Sequence, residues 1–355
     1  MTGAANPSIE RLLRGALPGL PRVVLHHPFL SAESGKDFLA PYRAAARGEL
    51  TDPYIVVLEG SATDDTLAGD GYWSALGTGT VDDPDAGRVG GVAQPLRSMD
   101  WVSALAPGAV AAIAIGTCAA WGGVPAAAGN PTGGRSLSDQ LGAGYRSTLD
   151  LPVIALPGCA PVGDNIVETL AAVVLHLTGV GPAPELDDLG RPAWLFDETV
   201  HRRCVRAGFY EEGVFAKAAG EGGCLIELGC WGAVVQCNIT SRGAIGGMGG
   251  CINAGGACNG CTMPGFPDAF SNTAESVPAA ALGLQRLPVV PLLVDLTGAT
   301  GTGDVWTFSA SPVTRRGGRR AGGDESVWRF WQNRSHTDED IEAEHSESGA
   351  ALQRR

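Results

Sequence analysis

Seven of the chain's nine cysteines fall in one stretch, in the order Cys204, Cys224, Cys230, Cys237, Cys251, Cys258 and Cys261, and a histidine, His201, stands three residues before the first. Glycine is dense around them, as at Gly246, Gly247, Gly249, Gly250, Gly255 and Gly256. Thiolates supply bonds to iron, and residues without a Cβ let backbone approach bulky sulfur-rich clusters. On spacing, His201, Cys204, Cys224 and Cys230 fill one four-ligand site, and Cys237, Cys251, Cys258 and Cys261 fill another. Cys118 and Cys159 remain, and both follow apolar runs that end in glycine: Ala109–Ile115 before Gly116-Thr117-Cys118, and Leu151–Leu156 before Pro157-Gly158-Cys159.

Zinc is the competing chemistry, because Cys258-x2-Cys261 beside other cysteines is also a zinc signature. Zinc sites usually use paired short knuckles, and the isolated Cys237 and Cys251 fit that pattern poorly. His201 taken singly is an ordinary surface or structural histidine; its place before Cys204 makes it a ligand candidate. Cys118 or Cys159 alone would read as a buried structural thiol. Two of them at equivalent strand tips suggest a shared ligand role. The odd cysteine count and the length of 355 residues weigh against a disulfide scaffold and favour ligation in a reducing compartment.

Those residues must be held by surrounding elements. Pro7 to Gly15 reads as a short helix with Asn6 as its N-cap. Arg22–His27 reads as a strand, and Ser34–Gly48 as a helix broken in two by Pro41. Tyr54–Leu58 is a strand running into Glu59-Gly60, and Met99–Leu105 is a helix closed by Pro107-Gly108. Asp164–Thr178 is an amphipathic helix with Ile166, Val167, Leu170, Val173, Val174 and Leu177 on one face and Gly179 as its stop. Continuously apolar strands alternating with helices predict a doubly wound parallel sheet of the α/β class. In such sheets ligands bind beyond the carboxyl ends of the strands, where Cys118 and Cys159 fall. The run Pro182, Pro184, Asp187, Asp188 reads as a linker, which divides the chain into domains 1–184 and 185–312. Leu287–Leu296 reads as one more strand, and 313–355, arginine-rich and then acidic, as a disordered tail.

A net charge of −13, with 44% apolar and 18% charged residues, argues against nucleic acid or an anionic membrane surface as partner. No run of 18 apolar residues occurs, so no transmembrane anchor is expected. The start carries neither a secretory nor a twin-arginine signal, and the expectation is a cytoplasmic protein whose membrane association is made through partners. Gly77-Thr78-Gly79 is too short for a dinucleotide fingerprint, and no phosphate-binding loop or Ser/His/Asp set is present.

Together the residues resemble the small subunits of [NiFe] hydrogenases. The signatures are Glu59-Gly60 after a strand, Gly116-Thr-Cys118-Ala, Pro157-Gly-Cys159-Ala-Pro161, His201-x2-Cys204, Cys224-x5-Cys230, Cys237 and Cys258-x-Gly-Cys261. Leu25-His-His-Pro28 and the loop from Cys261 to Asp268 look most like the actinobacterial-type, high-affinity uptake branch. The resemblance implies a flavodoxin-like domain without flavin, followed by an irregular iron–sulfur domain. It implies a chain of three iron–sulfur clusters: a proximal one on Cys118 and Cys159, a medial one on Cys237, Cys258 and Cys261, and a distal one on His201, Cys204, Cys224 and Cys230. It implies a non-catalytic subunit of a hydrogenase, paired with a large subunit that holds the nickel–iron centre. The acceptor would be the quinone pool or a redox protein, and the assembly a heterodimer or a dimer of heterodimers.

Two departures stand out. Many relatives carry proline where this chain has Cys251, and their medial cluster has three irons; Cys251 would add a fourth ligand and make a four-iron cluster. The family also places a Cys-x-x-Cys-like pair before the first helix. That pair is absent here, so the resemblance leads us to expect a natural start upstream of Met1 that supplies the remaining proximal ligands. The alternatives are a zinc-stabilised binding module, and a relative of the iron–sulfur subunit of respiratory quinone reductases. The latter lack a long C-terminal cluster domain, which weighs against them here.

Overall fold

The computed structural model describes residues 9–270, apart from 18–19, 28–31, 70, 219 and 245. The expectations at Asn6 and Pro7, at 287–296 and over the tail 313–355 lie outside the described residues. The chain divides into two compact units, one of Met1–Val205 with Trp231–Phe270, the other containing Arg206–Cys230.

In the first unit, Ile55–Glu59, Ala111–Ile115 and Ile154–Leu156 form a three-stranded parallel sheet with Ala111–Ile115 in the middle. Its register places Ile113 beside Val57 on one side and Ile154 on the other. Alternation along a strand sends successive side chains to opposite faces, and here both faces are covered. Ala112, Ala114, Val153 and Ala155 pack with Met99 and Val102 of helix Ser98–Leu105 and with Ala119 and Ala120 of helix Gly116–Trp121. Ala111, Ile113, Ile154 and Leu156 pack with Ile166 and Val173 of helix Gly163–Leu177 and with Leu195 and Phe196. The alanines on the first face let the Gly116–Trp121 helix lie close to the sheet. The larger residues on the second face fill the gap beneath a longer helix. The parallel α/β architecture follows from this two-sided burial.

Helix Gly163–Leu177 matches its apolar period and stops before Gly179, which adopts φ +72°. Two other elements differ from the sequence-based expectation. Pro41 lies inside a single helix, Gly35–Ala46, and does not split it. Pro41 and Asp37, whose carbonyl the proline ring leaves without its helical donor, are both exposed, so water can take the place of the missing bond. Arg22–His27 is not a strand: Val23 N–H turns back to the Leu12 carbonyl (3.4 Å), and His26 is occupied by stacking on Phe38. An extended apolar run becomes a strand only where a neighbouring edge offers a ladder. Among the described residues beyond 184, the longest helix is Ala207–Glu212, and the short helix Ile239–Arg242, turns and short 3₁₀ segments are the other features. No helix among the described residues is long and apolar enough to cross a membrane.

Ile113 is fully buried at the centre of the sheet, so Ile113→Ala should destabilise the chain by about 2–5 kcal/mol. Val57→Ala, on a half-exposed edge position, should stay within about 0.5 kcal/mol. Urea unfolding that gave equal losses for both would contradict this placement of the core.

Candidate metal centre

Cys118 stands in helix Gly116–Trp121, which opens directly from the end of the central strand. Gly123 adopts φ +58°, and a Cβ there would come within 2.8 Å of the Cys118 sulfur. The bare backbone leaves room around that thiol. Cys159 follows the third strand and Gly158, where φ is +150° and a Cβ would meet Pro161 at 2.6 Å. Both cysteines therefore emerge at the same edge of the sheet.

Thr117 ties these tips together. Its N–H donates to the Gly158 carbonyl (3.1 Å), its hydroxyl oxygen accepts the Gly158 N–H (3.0 Å), and its O–H donates to the Cys261 carbonyl (2.6 Å). It is 2% exposed. Trp121 adds a bond from its indole N–H to the Thr262 carbonyl (3.2 Å), and the Thr262 hydroxyl donates to the Gln236 carbonyl (2.7 Å). The segments carrying Cys261 and Cys237 are thereby fixed beside Cys118 and Cys159. The carbonyl of Cys258 accepts the Trp231 N–H (2.7 Å), and the carbonyl of Cys251 accepts the Gly256 N–H (2.7 Å), which shapes the glycine-rich loop between them.

All nine cysteines stand as thiols. Burial pushes the Cys237 thiol up to about 11, with the neighbouring Cys251 adding to the rise while a backbone N–H at Ile239 and the charge of Arg191 oppose it. Burial likewise pushes Cys261 up to about 12, reinforced by Cys237, Cys159 and Cys251; the backbone N–H of Cys159, bonded to the Cys261 sulfur, acts the other way. Burial raises Cys118 and Cys251 as well, and Cys159 adds to the effect at Cys118. Neighbouring thiols therefore add to the effect of burial: Cys159 raises Cys118, and Cys237, Cys159 and Cys251 raise Cys261.

His201 and Cys204 share one 3₁₀ turn, with the Cys204 N–H on the His201 carbonyl (3.1 Å). That turn is pinned to the Cys237 segment by Val200 N–H to the Val235 carbonyl and His201 N–H to the Gly232 carbonyl, both 2.8 Å. Cys224 and Cys230 flank another 3₁₀ turn, Leu225–Leu228, in the second unit; Cys224 is buried, and the Cys230 N–H reaches the Leu225 carbonyl (3.2 Å). Each pair is brought together within its own unit.

The donor set fits an iron–sulfur core. Several desolvated thiols whose thiolates would repel one another need positive charge before they can ionise, and ligated iron would supply it. Among the described residues no three His, Cys, Asp or Glu side chains form a group that could hold one metal ion. A single zinc requires its sulfurs about 2.3 Å from one centre, whereas a four-iron cluster spreads its thiolates over different irons.

Sequence reasoning missed the residues that arrange these thiols. Thr117 could have been found from its place between Gly116 and Cys118. Arg191 carries no local signal. It lies next to a run that composition reads as a linker, yet it is 1% exposed and bonded to Asp187 (2.8 Å) and Gln236. Gly190 in the same loop accepts the Ala155 N–H (2.8 Å) at the margin of the sheet.

Residues 196–274 match the C-terminal family of the NiFe/NiFeSe hydrogenase small subunit, and residues 9–173 match the NADH ubiquinone oxidoreductase 20 Kd subunit family. The chain is 30% identical over 273 residues to the periplasmic [NiFeSe] hydrogenase small subunit of Desulfomicrobium baculatum, covering 76% of this chain and 80% of that protein. It is 32% identical over 300 residues to the periplasmic [NiFe] hydrogenase small subunit 1 of Nitratidesulfovibrio vulgaris, covering 78% and 84% respectively. Among solved structures, the actinobacterial-type NiFe-hydrogenase from Ralstonia eutropha H16 aligns with a TM-score of 0.72 at 43% identity, covering 86% of this chain and 89% of that one.

Thr117→Val strands the buried Gly158 N–H and Cys261 carbonyl. It should cost at least about 1–3 kcal/mol, with Thr117→Ser retaining most of the stability; equal unfolding midpoints for wild type and valine variant would contradict the bridge. In the metal-free chain a raised thiol pKa means that the folded state binds the proton more tightly than the unfolded state. The stability tied to Cys237 and Cys261 is then complete below the ordinary thiol range and is lost as pH rises towards about 11 and about 12. Iodoacetamide should label both slowly at pH 8, and rapid labelling there would count against the burial.

Proposed function

The chain belongs to the [NiFe] and [NiFeSe] hydrogenase small-subunit family, and we propose that it is the electron-transfer subunit of an H2-oxidising uptake enzyme. As in its relatives, its place is in a hydrogenase complex beside a large catalytic subunit. The observation that carries the finer reading is the bond network that sets the ligand segments side by side: Thr117, next to Cys118, bonds Gly158 and the Cys261 carbonyl, and Thr262 bonds the Gln236 carbonyl next to Cys237.

When bound, iron–sulfur clusters supply one-electron centres whose potentials depend on cluster type, net charge, hydrogen bonding to sulfur and exposure. Cys118 and Cys159 hold the proximal centre in this proposal, and Cys237, Cys251, Cys258 and Cys261 the medial one. The distal set, His201, Cys204, Cys224 and Cys230, is proposed on sequence spacing. A neutral imidazole in place of a fourth thiolate lowers the negative charge at that site. Gly123 gives the Cys118 sulfur its room, Thr117 fixes the distance between the first two ligand loops, and the Cys159 N–H bonds the Cys261 sulfur. Domain 1–184 supplies the sheet on which the proximal ligands stand, and 185–312 the remaining ligands. A quinone pool or redox protein is the proposed acceptor, in a heterodimer or a dimer of heterodimers. A cytoplasmic location, with membrane association through partners, is the proposed setting for cysteines read as cluster ligands and not as a disulfide framework.

The test is anaerobic purification of the complex, followed by counts of iron, acid-labile sulfide and zinc and by EPR. About twelve irons on this subunit, after allowing for the nickel site, are expected for three four-iron clusters. Zinc in place of iron would end the reading. A three-iron EPR signal from the oxidised medial centre would remove Cys251 from the ligand set and leave the other assignments standing.

A further inference from the structure

A guanidinium that is 1% exposed is an expensive thing to keep in a protein interior, and Arg191 is one of the largest fully buried side chains in the chain. Its backbone and Nε both bond the Asp187 carboxylate, at 2.9 and 2.8 Å. Asp187 in turn receives the Leu189 N–H (3.0 Å), so a tight loop is built around the pair. The remaining guanidinium nitrogens are directed elsewhere. Nη2 donates to the Gln236 side-chain carbonyl, and Nη1 lies 3.4 Å from the Thr262 carbonyl and 3.5 Å from the Met263 sulfur. The planar group also lies over the Phe196 ring, 4.9 Å from its centroid. Gln236 immediately precedes Cys237, and Thr262 immediately follows Cys261. Packing alone does not call for this, since buried ion pairs can often be replaced by well-packed apolar residues without loss of stability.

We propose that Arg191 is a positioning residue for the medial centre, holding the Cys237 and Cys261 segments in place and raising the centre's reduction potential with its buried positive charge. The proposal rests on the cluster reading above. With clusters bound, one electron supplied by the centre that Cys118 and Cys159 would hold would make the medial site more negative by one charge. A fixed cation nearby, shielded from water, favours that reduced form. Asp187 opposes it only in part, because its carboxylate is turned towards the loop and towards solvent, 23% exposed at the side chain.

The test is an EPR-monitored redox titration of the anaerobically purified complex. Arg191→Gln should lower the medial midpoint potential by about 59 mV, a tenfold change in the one-electron equilibrium, while the proximal and distal potentials move less. Arg191→Lys keeps the charge and should recover most of that shift. Asp187→Asn removes the opposing charge and should move the potential upward. An unchanged medial potential in Arg191→Gln with full iron content would overturn the proposal, as would a lysine variant shifted as far as the glutamine one. If Arg191→Gln fails to assemble, Asp187→Asn decides: an upward shift supports the proposal and an unchanged or lowered potential sinks it. Absence of a medial signal in the unaltered complex would instead overturn the underlying cluster reading.

Discussion

Everything around the candidate centre depends on one buried hydroxyl. Thr117 accepts and donates at once, joining the tip of the central strand, the tip of the third strand and the Cys261 loop. A threonine at this point does what a longer polar side chain would not. Its β-branched side chain has few rotamers, and its short reach permits only close approach of the three backbones. The bond to Cys261 spans 144 residues of sequence, so it is a tertiary contact that fixes how far apart two groups of thiols stand. Where the distance between ligand groups governs passage of electrons, a rigid spacer of this kind matters more than another ligand.

The sheet makes that spacer possible. Parallel strands end on one edge, and right-handed returns through helices place the loops of successive strands side by side. Small residues on one face bring the Gly116–Trp121 helix down onto the sheet, which carries Cys118 close to the strand it leaves. Large residues on the other face support helix Gly163–Leu177. Within the first unit, irregular segments beyond residue 184 are anchored to this edge by the bonds of Thr117 to the Cys261 carbonyl, Trp121 to the Thr262 carbonyl and the Ala155 N–H to the Gly190 carbonyl.

Electrostatics runs through the same contacts. Thiols removed from water resist ionisation, and those gathered near Cys237 and Cys261 resist it further through mutual repulsion. Such a group is stable as thiols or as ligands to cations, and poorly stable as bare thiolates. The buried guanidinium of Arg191 and the N–H of Cys159 are the interactions that tilt the balance towards the charged form. They act from positions a ligand inventory would not include.

Much of this was determined by the sequence itself. Continuous apolar runs fixed the parallel strands, since period and burial are local properties of a chain. The cysteines, with His201, marked every proposed ligand, because few other residue types can do that chemistry. Gly158, after the third strand, marked a site of close backbone approach. Tertiary structure decided the rest. It kept Gly35–Ala46 whole across Pro41, because the orphaned carbonyl faces water. It took Arg22–His27 out of the sheet, with the Val23 N–H on the Leu12 carbonyl and His26 stacked on Phe38. It turned an apparent linker into the seat of a buried Arg191, and it made Thr117 the joint between two ligand groups. Hydrogen bonds between distant loops depend on which surfaces meet, and no local pattern of residues encodes that meeting.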